Sequence, residues 1–101
     1  MMHDVGALAT ALAGVRQTSS KGLTEWRYHG RLVARQLDDE TIVIRSEFPA
    51  RATLVRSHPE TFSVPTRFAR HMMVVADLQR GDADAIEDAI EAAWALQRHN
   101  Q

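Results

Sequence analysis

The 101-residue chain has no cysteine. This excludes disulfides, thiol nucleophiles, thiolate-bound zinc and iron–sulfur clusters together. It also has no internal repeat, no low-complexity tract and no linker-like run. No apolar stretch approaches the length of a membrane span, and the opening MMHDVGALATALAGVR lacks the basic head of a secretory signal. A cytoplasmic protein with no membrane partner is therefore expected. Nor is there an excess of one charge: 12 basic groups face 13 acidic ones, for a net charge of −1. The chain as a whole is no polycation made to coat nucleic acid. What remains is ordinary globular material, 45% apolar and 25% charged. At this length the expectation is one domain over residues 1–101, able to bury ~60–70% of its unfolded surface without staples.

Motifs that carry chemistry are equally scarce. His3, His29, His58, His71 and His99 show no ligand spacing, and no cysteine completes a set, so no metal is expected. His58-Pro59-Glu60 matches the H-x-E half of a zinc deaminase, but the P-C-x-x-C half is missing. Ser19-Ser20-Lys21-Gly22 lacks the glycine frame of a phosphate loop and reads as plain loop. There is no G-x-S-x-G elbow and no G-x-G-x-x-G fingerprint. The acid pair Asp38-Asp39 fits a turn. The acids of the last helix fit its solvated side. A non-enzymatic protein without a cofactor is expected.

What is present is an uneven distribution of charge. Residues 14–71 carry ten basic against six acidic groups, a net +4, whereas residues 72–101 carry two against six, a net −4. Such a division can create a local positive field that the total conceals. The same arginines would equally suit an exposed sheet face with acids nearby.

Periodicity supplies the elements. Val5, Leu8, Ala9 and Leu12 recur at helical spacing over about Met2–Ala13, with Asp4 as cap and Gly14 as stop. Residues 17–22 read as loop. Thr24–Tyr28 and Arg31–Leu37 flank His29-Gly30, a two-residue hairpin turn in which glycine accepts positive φ. An unbroken register would face Tyr28 with Arg31, Trp26 with Val33 and Thr24 with Arg35. One face would then mix Trp26, Tyr28, Val33 and Leu37 with Arg31 and Arg35; the other would hold Leu23, Leu32 and Ala34 with Glu25 and Arg27. Neither is cleanly apolar. A third strand follows at Glu40–Ser46, then a helix over Pro49–Ser57 burying Ala50, Leu54 and Val55. A short strand at Thr61–Val64, a basic loop at Thr66–Arg70 and a strand at His71–Leu78 come next. The last helix is capped by Asp82 and buries Ile86, Ala89, Ile90, Ala93 and Trp94. The order α-β3-α-β2-α means an α+β fold, helices packed on an antiparallel sheet.

Two aromatic–basic clusters are the candidate binding residues. In the first, Trp26-Arg27-Tyr28-His29-Gly30-Arg31, a hairpin tip could enter a nucleic-acid groove while Arg27 and Arg31 meet phosphate. Equally, Trp26 and Tyr28 suit cross-strand or core packing. In the second, Arg67-Phe68-Ala69-Arg70-His71, the loop could add contacts from Arg67, Arg70 and His71, or be a solvated loop with Phe68 tucked inward.

Four stretches, in order, resemble the MmcQ/YjbR family of small bacterial proteins: Trp26–Arg35, with glycine at its turn; His58-Pro59-Glu60-Thr61-Phe62; Met72–Asp77; and Ile86–Leu96 with its Ala93-Trp94-Ala95-Leu96 end. Together they span about Leu12–Arg98. The resemblance implies a two-layer α/β sandwich of the secretion-chaperone-like (YjbR-like) kind and a DNA-binding role, with no catalytic residues. A protein-interaction or chaperone-like module, binding a protein partner or itself, is the alternative. The sequence departs from the family pattern at His71, where Trp is common, and at Val75, where many members carry Arg.

Overall fold

The computed structural model describes residues 2–99, with side chains from Asp4 onward. Helix α1 (Met2–Thr10) precedes four consecutive strands, β1 (Val15–Ser20), β2 (Leu23–Tyr28), β3 (Arg31–Gln36) and β4 (Thr41–Arg45). Helix α2 (Phe48–Ser57), the two-residue strand β5 (Phe62–Ser63), a 3-10 turn (Thr66–Phe68), β6 (Met73–Asp77) and α3 (Ala83–His99) complete the chain. The six strands form one antiparallel sheet in the order β1-β2-β3-β4-β6-β5. The α+β class is as expected.

The strand count is not. The order is α-β4-α-β2-α, because residues 15–20 form an edge strand rather than a loop. Lys21 and Gly22 have φ of 52° and 80°, matching His29 and Gly30 at 48° and 84°. Both pairs make two-residue turns with positive φ at each central position, the geometry whose twist suits a hairpin. Smaller corrections follow the same logic. Helix α1 stops at Thr10, the second helix leaves Ala50 exposed, and part of the basic loop is a 3-10 turn.

The hairpin register is also broken. Arg27 pairs with Leu32, but Trp26 pairs with Ala34 and Glu25 with Arg35, so Val33 is one residue too many on β3. A bulge of this kind sets two neighbours opposite one residue. Val33 and Ala34 accordingly both enter the core opposite Trp26, and all three are essentially inaccessible. Beyond the bulge every side chain of β3 changes face relative to an unbroken register. Arg35 therefore joins Glu25 and Arg27 instead of Trp26.

That phase shift creates one clean apolar face. Trp26, Val33, Ala34, Ile42, Ile44, Val74, Ala76 and Phe62 meet Val5 and Ala9 of α1 and Ile86, Ala89, Ile90 and Ala93 of α3. Trp26 is 1% exposed, and its indole Nε1–H donates to Gln17 Oε1 at 2.9 Å. Asp82 caps α3 as expected: its Oδ1 accepts the N–H groups of Asp84 (2.9 Å) and Ala85 (3.1 Å). Helix α2 packs against β5 and β6 through half-buried Leu54 and Val55 and has no fully buried residue.

The opposite face has a smaller cluster, Val43, Val75 and Phe68, with Leu37 and Met73 against it. Phe68, 7% exposed, comes from the 3-10 turn and lies over β4 and β6. Among the described residues, no helix lies over the β1–β3 part of this face.

Candidate nucleic-acid interface

Strand alternation and register fix which arginines share that uncovered face. Arg16 pairs with Arg27, Glu25 with Arg35, Arg35 with Val43, and Arg45 lies two residues beyond Val43. Arg16, Arg27, Arg35 and Arg45 thus come from four adjacent strands to one side of the sheet. The only acid in those strands is Glu25, which accepts from Arg27 Nε at 3.1 Å. Arg67 lies beside this face with its guanidinium 4.7 Å from the Phe68 ring, and Arg35 reaches the same ring at 6.0 Å. Phe68 serves as a shared stacking platform for two cations.

The expected site residues are therefore partly gathered and partly divided. Arg27 and Arg67 belong to the open side. Arg70 and His71 are exposed in the segment that follows the 3-10 turn. Arg31 is on the other side of the sheet: it pairs with Tyr28, and its guanidinium donates to the Gln97 carbonyl at the end of α3 (3.3 Å). Trp26 is core, so the hairpin offers no exposed indole, and Phe68 is tucked inward. Tyr28 stacks on His29 at 4.1 Å.

Arg16, Arg35 and Arg45 escaped the sequence reading. Arg16 needed β1 to be seen as a strand, which the Lys21-Gly22 turn signals. Arg35 needed the bulge, for which the apolar triplet Leu32-Val33-Ala34 is the trace. Arg51 was also missed. From α2 its guanidinium donates to the carbonyls of Phe68 (3.2 Å), Ala69 (3.1 Å), His71 (2.8 Å) and Met73 (3.3 Å). One planar fork thereby fixes the backbone that carries Arg67, Arg70 and His71.

Charge is divided along two directions. Across the sheet, exposed Asp84, Asp88 and Glu91 on α3 lie on the helix side, while the arginines lie on the other. Along the strands, one end carries acids. There, Asp38 Oδ1 accepts the N–H groups of Glu40 (2.8 Å) and Thr41 (2.9 Å), and Asp77 Oδ1 those of Arg80 (3.0 Å) and Gln79 (2.9 Å). These backbone bonds, chiefly from Glu40 and from Arg80, hold both carboxyl groups below their ordinary value. The far end, where β2 turns into β3, carries Arg27, Arg31 and Arg45 around an open pocket of about 380 Å³. Among the described residues no group of histidines and acids is placed to hold a metal ion, and no helix is long and apolar enough to cross a membrane.

No family model matches the chain, and no curated protein or solved structure shows significant similarity to it.

Proposed function

We propose that this is a non-enzymatic, MmcQ/YjbR-like domain of the secretion-chaperone-like sandwich kind that binds DNA through the strand face opposite its helices. The observation that carries the reading is the row Arg16, Arg27, Arg35 and Arg45 on four adjacent strands with one acid among them. Arginine suits phosphate because its planar fork can give two parallel hydrogen bonds. Arg67 extends the same basic surface from beside the Phe68 ring, and Arg70 and His71, exposed in the segment that follows, would add contacts. Arg31 lies at its margin. The acidic outer side of α3 faces away and repels a polyanion, which sets the orientation of approach. The four stretches that resemble the family lie on the β2–β3 hairpin, the link to β5, β6 and α3, and they support the assignment by their order.

The test is affinity for a mixed-sequence duplex as a function of salt. Four or five phosphate contacts give a slope of about −4 in log K against log salt. Absence of binding at low salt overturns the reading.

A second reading, a protein-interaction or chaperone-like module, has one observation in its favour. A mostly apolar groove of about 380 Å³ separates α2 from α3, lined by Ala50, Leu54, Ala89, Ala92 and Leu96, and Phe48 at the start of α2 is 44% exposed. If the groove joins two copies, sedimentation shows a dimer that Leu96→Glu converts to monomer. A wild-type monomer at all concentrations removes self-association.

A further inference from the structure

We propose that the pocket where β2 turns into β3 holds a phosphate monoester, the terminal phosphate of a nucleic-acid strand. This rests on the reading that the strand face meets DNA. Three arginines, Arg27, Arg31 and Arg45, line one small open pocket, and Gly30, Leu32 and Gln97 complete it.

Two of the three guanidinium groups are already anchored. Arg27 donates to Glu25 Oε1 (3.1 Å) and to the Gly30 carbonyl (3.0 Å). Arg31 donates to the Gln97 carbonyl (3.3 Å). Gln97, only 6% exposed, is itself pinned, its Nε2 donating to the Leu32 carbonyl at 2.7 Å. A guanidinium has five N–H donors, so each anchored group keeps several for a ligand. Anchoring by carbonyls fixes geometry without cancelling charge, and this lowers the ordering cost of binding an oxyanion.

Charge and donor count select the ligand. Three cations, less Glu25 and the partial negative end of α3, leave about one and a half positive charges. A phosphate monoester carries about −1.5 to −2 near neutrality and three acceptor oxygens. An internal diester carries one charge and two free oxygens, which a single bidentate arginine satisfies. The pocket also lies past the strand ends, at the limit of the arginine row, where a bound strand would finish.

The experiment compares fluorescent single strands that differ only in a 5′-phosphate or a 5′-hydroxyl, with inorganic phosphate as a separate probe. The phosphorylated strand is expected to bind about tenfold tighter, and the preference fades as pH falls through about 6, where the monoester loses its second charge. Arg31→Gln abolishes the preference yet keeps most affinity for the hydroxyl strand. Arg45→Gln abolishes the preference and, as a member of the arginine row, also weakens the hydroxyl strand. Because the Arg45 side chain has no hydrogen bond among those described, this variant guards against misfolding. Arg35→Gln weakens both strands and keeps the preference. Equal binding of the two strands overturns the pocket and leaves the strand-face reading standing. Binding of inorganic phosphate alone, lost in Arg45→Gln, overturns the strand-face reading and keeps the pocket as a site for a free phosphate. Binding of no probe overturns both.

Discussion

The two sides of the sheet are built on different principles. On the helix side, large apolar side chains interlock, and Arg31 meets the end of α3 at the margin. On the other side, three buried residues, Val43, Val75 and Phe68, form a small platform, and arginines from the neighbouring strands stand beside it. Stability resides on the first side because burial scales with apolar area. The proposed binding falls on the second, where arginines outnumber the one acid of their strands. The difference teaches that a single strand can pack a core on one side and display charge on the other through its two-residue alternation, and that β3 does so only because of its bulge.

Substitutions should separate the two sides. Trp26→Ala removes the largest buried side chain of the helix face and should cost about 3–5 kcal/mol in urea unfolding, with the loss appearing as a lower midpoint. Arg51→Met tests the joint between the sides. It strips four backbone carbonyls of their shared donor, and a loss of about 2 kcal/mol is expected. In the same variant the salt slope of DNA binding should fall, since the segment bearing Arg67 and Arg70 is no longer fixed. Asp82→Ala acts on the helix side alone and should cost about 1 kcal/mol with DNA affinity unchanged. Arg35→Gln is the reverse case. Its unfolding midpoint should move by no more than about 0.5 kcal/mol in stability terms, while the magnitude of the salt slope drops by about 1. An unchanged slope in that variant would remove Arg35 from the contact.

The smallest effect concerns acid. Asp38 and Asp77 have carboxyl groups below their ordinary value in the folded protein. Each therefore contributes stability that is present above the unfolded carboxylate value, near pH 4, and is lost as pH falls through the depressed folded value. Asp38→Asn should flatten that acid limb of a thermal-melt series, and an identical limb in both proteins would exclude the backbone bonds as its cause.

How much could be read from the sequence depended on where each element finds its stability. Helix α3 was legible because its apolar period, its Asp82 cap and its acidic outer side all lie within one stretch. Strands β4 and β6, nearly continuous apolar runs, were legible for the same reason. Strand β1 was not, since Val15 is its only buried residue and its order comes from pairing with β2. The bulge at Val33 was hidden because Leu32, Val33 and Ala34 are all apolar and give no phase. As for the site, Arg27 and the Arg67–Arg70 segment were found from local basic–aromatic composition. The partners of Arg31 and Arg51 were not, because each lies many residues away along the chain and only folding brings them together.

The two indole N–H bonds have a spectroscopic consequence. Trp26 donates to Gln17 on β1, and Trp94 donates to the Ala13 carbonyl just before it at 2.8 Å. The segment from the end of α1 through the polar edge strand is thus suspended from both tryptophans. Strand β1 has little apolar burial to hold it, which places it at the low end of the range of local opening energies. Its release breaks both indole bonds while the rest of the sheet is intact. Intrinsic tryptophan emission therefore reports the detachment of this edge ahead of global unfolding, without any added label.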